Sequence, residues 1–298
     1  MAVVAVVVFA LLHLAPGDPA AVIAGDQATV AEIGKVRAQL GLDRPLAVQF
    51  ASWVGHVLRG DLGNSIYDGQ PVARMIGQRL EPTIALALCT LFISLAMALP
   101  LGILAAWKAG TWIDRGVMGF AVLGFSFPVF VIGYGLIYLF SLKLELLPVQ
   151  GYASLREGVG EFAAHMVMPA LALGWVLTAL FARMTRTSML EVLSQDYIRT
   201  AQAKGLATPK VLVRHAFMNA AVPIVTTIGI GIALLIGGVV VTETVFAIPG
   251  VGLLTVDAIL RRDYPVIQGV VLVFSAVYVL INLAVDLSYA FLDPRIRY

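Results

Sequence analysis

The chain has 298 residues, 60% of them hydrophobic and only 13% charged, with a mean hydropathy of +0.92. A water-soluble domain carries about 45–50% apolar and about 25% charged residues, so this chain has more apolar surface than its own core can bury and belongs in a bilayer. Its formal charge of +2, from twenty basic residues scattered rather than striped, gives no footprint for a nucleic acid.

The opening run from Met1 to Leu14 is apolar and lacks flanking basic residues, which makes it a poor secretory leader. It is also short, because a span needs about 20 residues to cross about 30 Å of hydrocarbon. The expectation is a first transmembrane helix whose start and basic lead lie upstream of Met1. A long segment follows, in which Val30 to Leu40 and Leu46 to Leu58 mix apolar and charged residues at helical spacing, while Pro45, Gly60, Gly63 and Gly69 mark turns. Five further apolar stretches then read as spans: Pro82 to Trp107, Gly116 to Phe140, Met166 to Phe181, Ala220 to Val241 and Val266 to Phe291. The stretch from Met166 is the shortest, and Ala182 and Met184 extend it if Arg183 snorkels.

Six spans place both termini on one side. The three loops sharing that side hold 10 Lys/Arg against 4 Asp/Glu, and the opposite three hold 10 against 13. The tie in basic residues breaks because the segment between the first two spans exceeds the roughly 60-residue limit of the positive-inside rule. The expected fold is therefore an all-α membrane protein of six transmembrane helices with both termini cytoplasmic. Its expected divisions are 1–81 (first helix plus a long outer segment), 82–291 (a five-helix core), 183–219 (an inner loop within that core) and 292–298 (a cytoplasmic tail).

Residues 183–219 are unusual: 37 residues of basic, amphipathic sequence in a chain of otherwise short inner connections. Met189, Leu190, Val192, Leu193, Tyr197, Ile198 and Ala201 follow helical spacing, and Gly205 is a stop signal. Thr208 can cap a second short helix with Pro209 at its first position. Such a helix, glycine turn and helix could seat a soluble partner, or could lie on the membrane with its arginines on anionic lipid head groups.

The run Asp196-Tyr-Ile-Arg-Thr-Ala-Gln-Ala-Lys-Gly205, followed by Arg214-His-Ala, resembles the EAA loop of ABC permeases in its peptide-importer version. The general pattern starts Glu-Ala-Ala with glycine six residues after the glutamate; here those positions read Arg199, Thr200, Ala201 and Gly205. The glutamate and the closing proline are absent. Leu14-Ala-Pro-Gly-Asp-Pro19, Gly60-Asp-Leu-Gly-Asn-Ser65 with Pro71-Val72, Glu243-Thr-Val-Phe246 with Pro249-Gly250, Arg262-Asp-Tyr-Pro-Val266 and Asp293-Pro-Arg-Ile-Arg-Tyr298 resemble further signatures of the same subfamily, in its order. Each alone is ordinary turn chemistry.

The resemblance, to the permease subunits of dipeptide/oligopeptide-type ABC importers, implies a type I importer transmembrane domain in a bacterial inner membrane. It implies as partners a second homologous permease, two cytoplasmic ATPase subunits and a periplasmic or lipid-anchored substrate-binding protein. It also implies that Asp196, Tyr197, Arg199, Thr200, Ala201, Lys204, Gly205, Thr208, Pro209 and Arg214 form the ATPase-coupling loop. The solute could be a dipeptide, a longer peptide, glutathione, a nickel chelate or a sugar.

No Gly-x-x-x-x-Gly-Lys-[Ser/Thr] loop occurs in the sequence, so ATP and Mg2+ are expected on the partner ATPases, with no cofactor on this chain. Cys89 is the only cysteine, which excludes an intrachain disulfide. His13, His56, His165 and His215 lack metal-ligand spacing. Gly63-Asn-Ser65 lacks the glycine that completes a nucleophile elbow, and no catalytic residue is assigned. Pathway or kink candidates are Pro128, Pro169, Gly229, Gly231, Gly237 and Gly238, each of which also fits simple helix packing. Asp286, the one acid within an expected span, lies about 7.5 Å from the end of its span and fits an interfacial anchor. An ion-driven secondary transporter would need charged or unwound midplane sites, and a membrane-embedded enzyme a cluster of His, Asp, Glu or Ser within spans. The sequence displays neither.

Overall fold

Backbone that lies in hydrocarbon has no water to bond with, so long apolar stretches close their hydrogen bonds within helices. The computed structural model describes residues 2–14, 20–21, 29–39 and 43–292, and these are helical apart from turns, loops and an isolated bridge between Asn64 and Pro71. In chain order they form α1 (Ala2–Leu14), α2 (Val30–Gln39), α3 (Leu46–Leu58), α4 (Val72–Trp107), α5 (Trp112–Ser126) and α6 (Val129–Leu136), the last running into a π turn over Ile137–Lys143. Then come α7 (Val159–Leu193), α8 (Asp196–Ala203), α9 (Thr208–Lys210, running into a π turn over Val211–Phe217), α10 (Ala221–Val245), α11 (Val251–Arg261) and α12 (Tyr264–Leu292). Of the quoted signatures, residues 15–19 and 293–298 lie outside the described residues.

Among the described residues four helices, α4, α7, α10 and α12, are long and apolar enough to cross a membrane, and the pair α5 and α6 makes a fifth span if counted as one. α1 has 13 residues, about 20 Å, as the short opening run suggested. The two short helices expected before the second span are present as α2 and α3. Three boundaries differ from the sequence reading. α4 starts ten residues before Pro82 and carries Pro82 and Pro100 inside it. α7 is 35 residues long, so residues 183–193, read as inner loop, are helix continuous with the span. The expected single span over 116–140 is broken by 103° at Phe127 and Pro128. The physical reason for the break is at hand: Pro128 has no N–H to continue α5, and it forces Phe127 into extended backbone (φ −107°, ψ 128°).

Helix ends share one device. After α3, α8, α10 and α11 an N–H two or three residues beyond the helix reaches back five residues, as in Asp61 to His56, Leu206 to Ala201, Ile248 to Glu243 and Asp263 to Ala258. Each closure puts one residue in the left-handed region: Gly60 (φ +80°), Gly205 (+75°), Ala247 (+46°) and Arg262 (+58°).

Contacts divide the chain into two units, residues 1–80 with 254–277 and residues 81–253 with 278–298. Within the first, Phe9 of α1 meets Phe50 of α3 edge-on at 5.3 Å, and the Gln268 side-chain amide donates to the Val8 carbonyl at 2.9 Å. Two of the quoted signatures prove to be partners here. The Ser65 hydroxyl and the Ile66 N–H donate to the buried Asp263 carboxylate, at 2.5 and 3.3 Å. Gly269 has no side chain because Val72 occupies the space a Cβ would take, at 2.6 Å.

Within the second unit α7 is the central helix, packed by α5, α6 and α10. One apolar cluster joins Leu86, Met166, Met168, Leu173, Leu177, Phe181, Leu235, Val239, Phe246 and Ile248. A second, at the other end of α7, joins Ala106, Met189, Ile198, Ala201, Val211, Leu212, Ala216, Ala220 and Ile224. The bent pair crosses between the two ends rather than turning back. Gly110 and Asp114, at its start, meet Arg186 near the end of α7. Tyr152 and Ser154, in the loop that follows it, donate to Glu81, in the N-terminal third of α4. Burial and the Glu81 carboxylate push the Tyr152 hydroxyl up to about 12, so it remains a donor at any physiological pH.

Candidate functional site

The segment singled out in the sequence is built on the second cluster. α8 buries Ile198 and Ala201 against it and turns Asp196, Tyr197, Arg199, Thr200 and Lys204 outward. An eight-residue helix is marginal alone, so its position depends on these two anchors and on its ends. The Thr200 hydroxyl donates to the Asp196 carbonyl at 3.0 Å, and the Arg199 and Asp196 side chains lie 3.6 Å apart, both exposed, a pair that contributes little. The Tyr197 hydroxyl lies 3.5 Å from the His215 carbonyl, and burial pushes its pKa up.

Gly205 ends α8. Its N–H bonds to the Gln202 carbonyl at 2.9 Å, the Leu206 N–H to the Ala201 carbonyl at 3.3 Å, and Leu206 returns to the cluster beside Ala201. No atom lies within 4 Å of where a Cβ on Gly205 would sit, so only backbone conformation holds glycine there, and its surroundings are open. The second helix begins at Thr208 itself, with Ala207 as the residue before it, so Thr208 is the first helical residue rather than the cap, and Pro209 is the second. The missing N–H of Pro209 still costs nothing in that first turn. Arg214 is exposed on the π turn, where Val211, Leu212 and Ala216 face the cluster. Residues 189–193, expected on the same helix as Tyr197, belong instead to α7, and a break at Ser194 and Gln195 re-aims the chain. The result is a short, basic, solvent-facing ridge on an apolar base.

The pathway candidates fall into three groups. A Cβ on Gly229 would meet Val285 at 2.7 Å, and one on Gly238 or Gly231 would meet Leu173 or Phe181 at 2.4 Å, so these three are helix-packing glycines. Pro169 is buried inside α7, in its first third. Gly237 is exposed with open space around it, and Pro128 sits exposed at the break. Asp286 is exposed on α12.

Two buried acids escaped sequence reasoning. Asp114, 4% exposed, is gripped by the Arg186 guanidinium through two hydrogen bonds and accepts the Gly110 N–H at 2.9 Å. The two residues are 72 apart in sequence, so no local spacing links them. Glu243, fully buried in the last turn of α10, accepts the Thr83 hydroxyl at 2.6 Å and the Leu253 N–H at 3.0 Å. The available signal was the acid inside an otherwise apolar helix end, followed by Pro249, Gly250 and Gly252. Among the described residues no group of three or more His, Cys, Asp or Glu side chains could hold a metal ion.

Known proteins resemble this chain in sequence and in fold. Residues 98–298 match the family model described as binding-protein-dependent transport system inner membrane component, and residues 1–87 match its N-terminal companion. The chain is 53% identical over 298 residues to a probable peptide ABC transporter permease protein, y4tP, of Sinorhizobium fredii, covering all of this chain and 95% of that one. It is 45% identical over 296 residues to the glutathione transport system permease protein GsiC of Salmonella choleraesuis, covering 99% and 94%. In fold it is similar to a chain of the inward-facing MetNI methionine ABC transporter, with a TM-score of 0.61 at 18% identity over 74% of this chain and 96% of that one.

Proposed function

Because the chain belongs to the family of binding-protein-dependent transport system inner membrane components, we propose that it is a permease subunit of an ATP-driven importer of peptides or related small solutes such as glutathione. It forms half of the translocation route, in the cytoplasmic membrane, with a second homologous permease. Two ATPase subunits bind and hydrolyse ATP with Mg2+ on the cytoplasmic side, and a periplasmic or lipid-anchored protein delivers the solute.

The observation that carries the reading is the ridge of α8, Gly205 and α9. A motor can shift the balance between inward- and outward-open states only by gripping something whose position differs between them. The ridge offers exposed Arg199, Lys204 and Arg214 outside, and inside it is keyed by Ile198, Ala201, Val211 and Leu212 to the end of α7. A push on the ridge is therefore a push on the central helix. Reconstitution with the subunits encoded beside it should give uptake of a labelled peptide or glutathione that needs ATP and the binding protein. Uptake that persists without ATP and collapses with a protonophore would identify an ion-driven carrier instead.

Gly205 supplies a graded test of coupling. Gly205→Val places a β-branched residue at φ +75°, at a cost of about 1–2 kcal/mol, whereas Gly205→Asn tolerates that region. The valine variant should lose most solute-stimulated ATP hydrolysis and the asparagine variant should keep most of it. Equal stimulation in the two would show that the turn is not part of the coupling.

A further inference from the structure

A helix broken inside a bilayer leaves polar backbone that lipid cannot satisfy, and the break between α5 and α6 is of this kind. Its depth follows from neighbours within the second unit. From Asp114 to Ser126 the rise is about 18 Å, and from Glu81 to Ser94 about 20 Å. The Ser94 hydroxyl reaches the Gly174 carbonyl at 3.2 Å, while a Cβ on Gly124 would lie 3.6 Å from Trp175 Nε1. The elbow is thus near the middle of about 30 Å of hydrocarbon.

Neither side of the elbow is closed. No capping bond ends α5 at Phe127, and no side-chain cap covers the first N–H groups of α6 after Pro128. Phe125, Ser126, Phe127 and Pro128 are all exposed. Behind the elbow, Phe120, Ile132, Leu136 and Trp175 line a largely apolar cavity of about 130 Å³. Trp175 Nε1 is buried there with no hydrogen-bond partner among the described residues. Open helix ends and an orphaned indole N–H at one depth are two independent demands for water, and lipid meets neither.

We propose that the elbow at residues 126–128 lines the aqueous route, so that the freed carbonyls of α5 and N–H groups of α6 face water and the polar backbone of the passing solute. The proposal rests on the importer reading and adds to it the segment that meets the solute. It also gives Pro128 a purpose: with no N–H it keeps the break open.

The test is thiol accessibility in the reconstituted complex, on a Cys89→Ala background that removes the native cysteine. Ser126→Cys and Phe127→Cys are compared with Phe92→Cys, on the exposed side of continuous α4. A membrane-impermeant quaternary-ammonium thiosulfonate should modify the two elbow cysteines at least about tenfold faster than the α4 cysteine, since only a hydrated site ionises and meets a charged reagent. Trapping the ATPases with ATP and vanadate should change the elbow rates by about threefold or more, because access alternates between states. Modification of both elbow cysteines no faster than at position 92, in every nucleotide state, would overturn the proposal. Uptake by the Cys89→Ala complex tests the importer reading separately.

Discussion

Glu243→Ala is expected to lower the unfolding free energy by about 3–5 kcal/mol, from two or more buried donors left without an acceptor at about 1–3 kcal/mol each. Glu243 is 0% exposed and joins three pieces of chain. Its carboxylate receives the Thr83 hydroxyl and the Leu253 N–H, and Thr83 Oγ1 in turn receives the Val251 N–H at 2.8 Å. Gly250 and Gly252 are glycines because a Cβ at either would collide with that carboxylate. The acid thus fixes the turn from α10 into α11 by filling a socket built for it. Glu243→Gln keeps the length and one acceptor oxygen, and should cost about 1 kcal/mol. Thermal unfolding of the purified complex separates the two, with a large fall in Tm for alanine and a small one for glutamine. Equal falls would mean that the loss follows the carboxylate charge and second acceptor oxygen, which glutamine also lacks, and not the single acceptor that glutamine keeps.

The same turn shows what could be read without coordinates. Apolar length alone placed the spans, because hydrocarbon thickness and helical rise leave little choice, and α10 and α12 agree with the sequence reading within a few residues. Gly205 was legible as a helix end because glycine is the residue that usually tolerates the left-handed region. Ala247 and Arg262 end α10 and α11 with the same bonds, but they carry no glycine and gave no signal. α11 was accordingly read as loop. The break at Pro128 was flagged as a possible kink, yet its 103° angle was not legible, because where α6 lies, with Gly133 against Val245 and Phe246, is a tertiary fact. The glycines of α10 behaved similarly. Composition marked them as small, and only the positions of Val285, Phe181 and Leu173 separate packing from pathway.

The ridge was the most legible part of the site and its foundation the least. Helical spacing is local, so Ile198 and Ala201 were legible as one apolar face, but Tyr197, read with them, is 45% exposed on the outside. What the ridge stands on comes from α4, α7 and α10 through Ala106, Met189 and Ile224, residues that no local pattern joins.

Asp114 and Arg186 stand at that foundation, and their removal tests whether the foundation transmits force. The pair is two hydrogen bonds deep, with the Gly110 N–H as a third contact to Asp114, so it clamps the turn between α4 and α5 to the last turns of α7. Asp114→Ala leaves a partly buried guanidinium and a backbone N–H without acceptors, and should cost about 2–4 kcal/mol. Removing the second charge as well, in Asp114→Leu with Arg186→Met, should recover most of that loss, because the penalty lies in an unpaired buried charge and not in the missing attraction. Stability and coupling then part company. If the pair is a clamp that carries motion from the ridge into α5 and α6, the double variant should fold with near-normal Tm, assemble with its ATPases and hydrolyse ATP, yet show uptake reduced about tenfold through loss of a transmitted difference between states. Uptake restored together with Tm would place the pair among the packing contacts of α7, and the path from ridge to elbow would have to run through the apolar cluster alone.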